Sequence, residues 1–308
     1  MAEPDSEIFH GRTAANRIAT LFAATRPAFL TASLLPVLAA LAMAWGGQGD
    51  LHVGAALLTL LNVALIHSGA NVINDYFDAR NGTDAVNHGR LFPFSGGSRF
   101  IQNGVLSVGE TGWLGAGLLA AGALLGLGLA WWAGPFVLAI GLLGGALAIV
   151  YSAPPCLACR GLGDFVVAVC FGVLPVTGTV YIQLGSVPET AVWTGGGVGC
   201  FVAAILWVNS IPDIDADRRA GKFTVPARLG ARRAAYGLPL LFLLGFCLLV
   251  AGSLPEGAYL ALFAAVPAAF ATRALLRGRL MPAIPLTLAT HASVCILLTL
   301  GFLSPLLH

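Results

Sequence analysis

Apolar residues run almost unbroken for about twenty positions at a time along this chain, and short polar segments separate the runs. A helix needs about 20 predominantly apolar residues to cross a bilayer. The runs therefore predict spans near residues 27–46, 53–73, 111–133, 135–152, 163–183, 191–210, 235–253, 257–275 and 283–304. No run alternates with a period of two, which excludes a membrane β-barrel. Only Ala133, Gly134 and Pro135 divide the third span from the fourth. The expected fold class is all-α, a polytopic membrane protein with nine transmembrane helices. Residues 13–25 predict a short interfacial helix. The small-xxx-small pairs Gly122/Gly126, Gly141/Gly145 and Gly195/Gly199 predict close helix packing.

Composition sharpens the picture by exclusion. The 308 residues are 57% hydrophobic and 10% charged, whereas soluble domains carry charge on about 25% of positions. A soluble enzyme, a nucleic-acid binder and a disordered chain are ruled out, and the lipid bilayer is the expected surrounding. Residues 1–24 are mixed and polar, without the apolar core of a cleavable signal peptide.

The net charge of +2 says little, but the placement of the cations says more. Arg12, Arg17 and Arg26 precede the first span, Arg80, Arg90 and Arg99 follow the second, and Arg160 follows the fourth. Arg218, Arg219, Lys222, Arg228, Arg232 and Arg233 follow the sixth, and Arg273, Arg277 and Arg279 follow the eighth. These are all 16 cations of the chain. The opposite loops carry Asp50, Glu189 and Glu256 and no Lys or Arg. The positive-inside rule then places the N-terminus and the Arg-bearing loops in the cytoplasm, in an inner or other cytoplasmic membrane. Residues 1–26 read as a cytoplasmic N-terminal segment and 27–308 as one transmembrane domain.

Of the 14 acidic residues, six fall in two of these cytoplasmic segments. Residues 71–84 carry Asn71, Asp75, Asp78 and Asp84, and residues 209–222 carry Asn209, Asp213, Asp215, Asp217 and Lys222. Asn71, Asp75 and Asp78 are spaced to share one helical face, as are Asn209, Asp213 and Asp217. Asp215 points away from that face and reads as a solvated charge, while Asp84 suits either a ligand or a loop cap. The Asn-xxx-Asp core recurs 138 positions later, the mark of two pseudo-repeated halves. Carboxylates at a membrane boundary repel one another and are costly to desolvate. Asp and Asn oxygens suit Mg²⁺, which prefers one or two carboxylates completed by waters and substrate phosphates. Two opposed acidic faces would hold Mg²⁺ around a diphosphate, with Arg99, Arg160 and Lys222 clamping phosphate oxygens. His67, one turn before Asn71, reads as a partnered buried histidine rather than a catalytic base. Cys170, Cys200, Cys247 and Cys295 lie within spans as apolar fillers. Cys156 and Cys159 supply only two of the four ligands a zinc site needs and are read as a chance pair.

The string Asn71-Val-Ile-Asn-Asp-Tyr-Phe-Asp78 with Gly82-Thr-Asp84, and Asp213-Ile-Asp-Ala-Asp217 with Gly221-Lys222, resembles the two aspartate-rich motifs of UbiA-type intramembrane prenyltransferases. The likeness runs from Arg26-Pro27 to Leu229-Gly230. With Pro93-Phe-Ser-Gly-Gly-Ser-Arg99 and Arg160-Gly-Leu-Gly-Asp164, it is most similar to the 1,4-dihydroxy-2-naphthoate prenyltransferases of menaquinone synthesis. Two positions depart from that branch: Pro212 stands where arginine is common, and Asp164 where glutamate is common.

The resemblance implies nine helices around a central cavity with its active site at the cytoplasmic face. It implies Mg²⁺-dependent transfer of a polyprenyl group from a polyprenyl diphosphate to an aromatic acceptor. Carried over by position, Asp75, Asp78, Asp213 and Asp217 are the metal–diphosphate residues, with Asp84 a further metal ligand and Asn71 and Asn209 in support. Arg99, Arg160 and Lys222 match diphosphate-side cations, and Tyr151 matches a tyrosine near the reacting carbon, where a ring face stabilises an allylic cation. Arg26 matches a residue facing the acceptor's carboxylate. The expected acceptor is 1,4-dihydroxy-2-naphthoate, giving demethylmenaquinol; homogentisate, hydroxybenzoate or a glycerol-phosphate lipid are the alternatives within the class. A cation-coupled transporter is the reading from another class, although transporters place such carboxylates near the midplane on broken helices.

Overall fold

The computed structural model describes all residues except 1, 2, 6–8, 10–12, 83, 85, 86, 88 and 308. Arg12 of the cation pattern and Thr83 of the first motif therefore lie outside the described residues. Those that are described contain helices and no strand.

A short helix, α1 (Ala14–Ala24), opens the fold where the interfacial helix is predicted, and the Thr13 hydroxyl caps it by accepting from Asn16 N at 3.3 Å. Ile18 and Phe22 project outward while Thr20 and Ala24 are buried, as an interfacial helix requires. Nine helices long and apolar enough to cross a membrane follow among the described residues. These are α2 (Pro27–Gly47), α3 (Val53–Asn81), α4 (Val108–Ala133), α5 (Pro135–Ser152), α6 (Gly163–Leu184) and α7 (Glu189–Ser210), then, after two short helices α8 (Ile214–Arg219) and α9 (Val225–Leu229), α10 (Ala231–Ala251), α11 (Glu256–Leu276) and α12 (Leu280–Leu303). The narrow break between the third and fourth spans is real. Gly134 adopts φ 111°, a conformation that suits glycine, and Pro135 opens the next helix, where its missing N–H costs nothing. Ser107 and Glu110 start α4 with a reciprocal capping box.

Three boundaries differ from the apolar runs for physical reasons. Helix α3 continues past its apolar stretch to Asn81, so the first acidic motif is carried on a rigid helical extension. Helix α10 begins at Ala231, because the polar turn Ala231–Ala234 is already helical. The second motif is not one continuous helix. α7 stops at Ser210 and α8 starts at Ile214, with Pro212, which has no N–H to donate, in the gap. Asn209 thus belongs to α7, while Asp213 and Asp217 belong to the turn and to α8.

Helix α7 is the most enclosed of the nine, with Val198, Phe201 and Val208 fully buried in the main core. The outer wall, α4 and α5, presents Trp131, Leu124 and Leu143 outward, apolar surface that lipid would cover. Two of the predicted glycine pairs do pack. A Cβ at Gly199 would fall on the Ala168 carbonyl where α6 crosses α7, and one at Gly122 would meet Ile66 of α3. Gly141 and Gly145 have nothing against them and instead line a cavity. Gly199→Ala is expected to destabilise the bundle by about 1–3 kcal/mol, read as a lower unfolding midpoint in detergent. An unchanged midpoint would show that α6 and α7 are free to separate.

At one end of the bundle the loops are tied together. Arg90 Nε donates to Glu3 Oε1 at 2.9 Å, Arg17 pairs with Glu110, Asn87 Nδ2 donates to Asp213 Oδ1 at 2.7 Å, and Phe223 N donates to the Cys159 carbonyl at 2.9 Å. These contacts join the N-terminal segment and the loops after α3, α5 and α7 into a single cap, and that cap carries the acidic motifs.

Candidate active site

The last turns of α3 bring Asn71, Asn74, Asp75 and Asp78 up one side of the cap. Asp75 and Asp78 are buried. Opposite them, Asn209 on α7 and Asp213 and Asp217 beyond it complete the second acidic face. Lys222 joins the two: its Nζ lies 3.2 Å from Asp78 Oδ2 and 3.4 Å from Oδ1. Thr224 Oγ1 donates to Asp217 Oδ2 at 3.3 Å, and the Asp213 carboxylate accepts from Asn87 Nδ2.

The segment Ser95–Arg99 meets both motifs through backbone amides and through its serine hydroxyls. Gly96 and Gly97 both take positive φ, 77° and 74°, the left-handed backbone that suits glycine. Gly96 N donates to Asp213 Oδ2 at 3.3 Å and Ser98 N to Asp75 Oδ1 at 3.3 Å. One loop thus holds a carboxylate from each motif. Arg99, expected as a phosphate cation, is buried and turned back: its Nη1 donates to the Asp84 carbonyl at 2.7 Å. Gln102 Nε2 donates to Asp84 Oδ2 at 3.1 Å. Arg160 is exposed, with its Nε on the Pro155 carbonyl at 2.9 Å. Asp215 is exposed.

Below this polar mouth lies a cavity of about 770 Å³. Asn71, Asp78, Asp84, Asn209, Asp213, Asp217 and Lys222 line the mouth, as does Asn87, which sequence reasoning missed. Tyr151, Asp164, Arg26 and His67 also line it, and Leu129, Val137 and Ile182 line the far, apolar part. Asp75, Arg99 and Arg160 are not lining residues. Arg26 stacks over the Phe29 ring at 4.3 Å and donates through Nη2 to the Pro93 carbonyl at 3.3 Å. Asn71 Nδ2 donates to the Thr25 carbonyl at 3.2 Å, and Asn74 Nδ2 to Ser152 Oγ at 3.0 Å. Cys156 and Cys159, read as a chance pair, are joined as a disulfide in the loop between α5 and α6.

The electrostatics of the cap are those of an anionic site short of positive charge. Burial, reinforced by Asp78 and Asp75, pushes the Asp84 carboxyl up to about 8. Burial raises Asp217 to about 7 and raises Asp213 as well, against the opposing hydrogen bonds from Asn87, Ser95 and Gly96. Burial alone would lower Lys222, but Asp78 and Asp217 outweigh it and hold the ammonium charged. Among the described residues, the buried amide oxygens Asn87 Oδ1 and Asn209 Oδ1 have no donor. Orphaned oxygens beside like-charged carboxylates form a donor set that fits a hard divalent cation. Among the described residues no three His, Cys, Asp or Glu side chains converge into a preformed metal centre.

The chain's relatives carry the same fold. The model of the UbiA prenyltransferase family matches residues 33–283. A 1,4-dihydroxy-2-naphthoate octaprenyltransferase from Haemophilus influenzae is 30% identical over 234 residues, covering 73% of this chain and 74% of that one. Among solved structures, an apo UbiA homolog from Aeropyrum pernix K1 aligns with a TM-score of 0.67 at 22% identity, covering 89% of this chain and 97% of that one. A UbiA homolog from Archaeoglobus fulgidus bound to DMAPP and Mg²⁺ gives 0.61 at 18% identity, over 92% and 99%. The match starts inside the first span and ends inside the ninth, so it takes in both acidic faces and the cavity between them: the chain belongs to the UbiA prenyltransferase family and is a multi-pass membrane prenyltransferase.

Proposed function

We propose that this prenyltransferase moves a polyprenyl group from a polyprenyl diphosphate to an aromatic acceptor, 1,4-dihydroxy-2-naphthoate, releasing the acceptor's carboxylate and giving demethylmenaquinol. The observation that carries the reading is the cavity: an acidic mouth with two orphaned amide oxygens opens onto a long apolar interior. The similar Haemophilus influenzae octaprenyltransferase supports the acceptor. The Archaeoglobus fulgidus homolog with DMAPP and Mg²⁺ supports the donor class and the ion.

Asp78, Asp84, Asp213 and Asp217 would hold Mg²⁺, helped by Asn87 and Asn209, with Asn71 beside them at the mouth and Asp75 behind, fixed by Ser98. When bound, Mg²⁺ would neutralise charge developing on the departing diphosphate. Lys222 would place its ammonium against the same oxygens, already held at the junction of the motifs. The Tyr151 ring would face the allylic carbon as its bond to oxygen lengthens. The apolar walls would hold the isoprenoid chain and keep water from the cation. Arg26 would take the acceptor's carboxylate from its stacked position on Phe29. Arg160 and Arg99 would add positive potential from outside the cavity. The positive-inside pattern would set the cap and the N-terminus in the cytoplasm.

The test is a mass-spectrometric assay of purified protein with Mg²⁺, a polyprenyl diphosphate and a panel of acceptors. The expected product is a prenylated naphthoquinol that lacks the carboxyl and is absent with EDTA. Prenylation of homogentisate, hydroxybenzoate or a glycerol-phosphate lipid in its place would overturn the acceptor and leave the donor site standing.

A further inference from the structure

His67 lies on α3 four residues before Asn71, about 6 Å deeper along the helix at 1.5 Å per residue. That depth is where the polar mouth gives way to apolar walls. Its ring lines the cavity, is only 6% exposed, and meets the Phe171 ring edge-on at 4.6 Å between centroids. One nitrogen is accounted for, since Nδ1 lies 2.8 Å from Ser33 Oγ. Ser33 Oγ also lies 3.1 Å from the Leu30 carbonyl, an atom that only accepts. A hydroxyl has one proton, so both contacts are hydrogen bonds at once only when the carbonyl takes it. In that arrangement the Ser33–His67 bond runs from Nδ1–H to Oγ, and the imidazole keeps a lone pair on Nε2. Nε2 has no protein partner among the described residues.

The neighbours make this lone pair informative. Arg26 lines the same cavity, its guanidinium stacked over the Phe29 ring. Asn62, a turn deeper on α3, has its amide committed to the Gly122 carbonyl at 2.6 Å. A ligand ring below the mouth thus meets a guanidinium and, in His67 Nε2, an acceptor whose ring Ser33 holds in place. Resting on the aromatic-acceptor reading above, we infer that His67 Nε2 accepts the hydrogen bond of a ring hydroxyl on that acceptor, so that the cavity selects hydroxyaryl carboxylates. The bond draws the hydroxyl proton away from its oxygen and enriches the ring carbon that is to be alkylated. Arg26 then holds the carboxylate beside it. Ser33 is a positioning residue that acts only through the tautomer.

The experiment compares calorimetric binding of 4-hydroxy-2-naphthoate, whose hydroxyl cannot bond to its own carboxylate, and of 2-naphthoate to the purified protein, with geranyl diphosphate and Mg²⁺ titrated in parallel as a check on the donor site. Wild-type protein is expected to prefer the hydroxylated ring by about tenfold, the value of one hydrogen bond in a buried site. His67→Phe keeps an aromatic ring against Phe171 and accepts nothing, so the preference is expected to vanish with geranyl diphosphate binding unchanged. His67→Gln, which places an acceptor oxygen nearby, is expected to recover part of it. Should His67→Phe fail to hold geranyl diphosphate, Ser33→Ala decides. Freeing Nδ1 lets the proton move to Nε2, and the preference is expected to fall. A preference that survives His67→Phe or Ser33→Ala, or one that wild-type protein never shows, overturns the inference. A His67-dependent preference without prenyl transfer to any aromatic acceptor would sink the proposed reaction and leave this subsite standing. Prenyl transfer to hydroxynaphthoate with no role for His67 would do the reverse.

Discussion

Asp78→Asn is expected to lower prenyl transfer by about 10²–10³-fold and also to destabilise the protein, and the two losses have different origins. The catalytic loss follows from removing one of the few charges that would gather a divalent ion and a diphosphate at the cavity mouth. The stability loss follows from Lys222, whose ammonium sits 3.2 Å from Asp78 with the two side chains 15% and 12% exposed. Removing one partner of a buried pair leaves the other charge uncompensated, at a cost of about 3–5 kcal/mol. Asp217, which also acts on Lys222, keeps the expected loss at the lower end of that range. The double variant Asp78→Asn with Lys222→Met removes both charges, and the unfolding midpoint should return most of the way while transfer stays lost. Midpoints in detergent and single-turnover rates on the three proteins separate the effects. Full transfer by Asp78→Asn would remove Asp78 from the donor site. A double variant as unstable as the single one would show that the pair is not what the fold relies on.

Much of the architecture could be read directly from the order of residues, because lipid leaves a chain few choices. A run of about twenty apolar residues can satisfy its backbone in hydrocarbon only as a helix, and each of the nine runs became one. The acidic motifs were visible because charge is rare in this chain and six carboxylates sit in two short segments. Spacing misled where a backbone rule overrode it. Asn209, Asp213 and Asp217 have helical periodicity, but Pro212 lies between them and divides them into two elements. An arginine beside two acidic motifs suggests a phosphate ligand, and in the fold Arg99 is held on the Asp84 carbonyl, outside the cavity lining. That loop also presents backbone amides to Asp213 and Asp75, and one-letter codes do not display those. Asn87 was overlooked for a related reason: nothing in its immediate neighbours points to the Asp213 carboxylate, 126 positions away. Cys156 and Cys159 met because a turn brought them together, a property of the loop's conformation rather than of the spacing.

The glycine loop yields the second large effect. Gly97→Ala is expected to lower transfer by about 10²-fold, the usual cost of displacing catalytic groups by about 1 Å. A Cβ at position 97 would stand 2.6 Å from Asp84 Oδ2 and 3.1 Å from Asp75 Oδ1, so both carboxylates must shift, and Asp75 would be pushed off the Ser98 amide. The backbone adds strain of its own, since a positive φ costs an L-residue about 1–2 kcal/mol. Gly104, in the same loop at φ 72° with nothing within 4 Å, supplies the control. Gly104→Ala meets the same backbone penalty and displaces no carboxylate. The two variants should therefore lose similar stability, while only Gly97→Ala loses activity and needs more Mg²⁺ to reach half of its maximal rate. Titrating Mg²⁺ against transfer rate for both proteins reads this directly. Equal losses of activity would mean that the loop matters for its rigidity alone. A loss confined to Gly97→Ala, with a raised Mg²⁺ requirement, would tie the glycine to the placement of Asp75 and Asp84, and through them to the charge that holds the diphosphate.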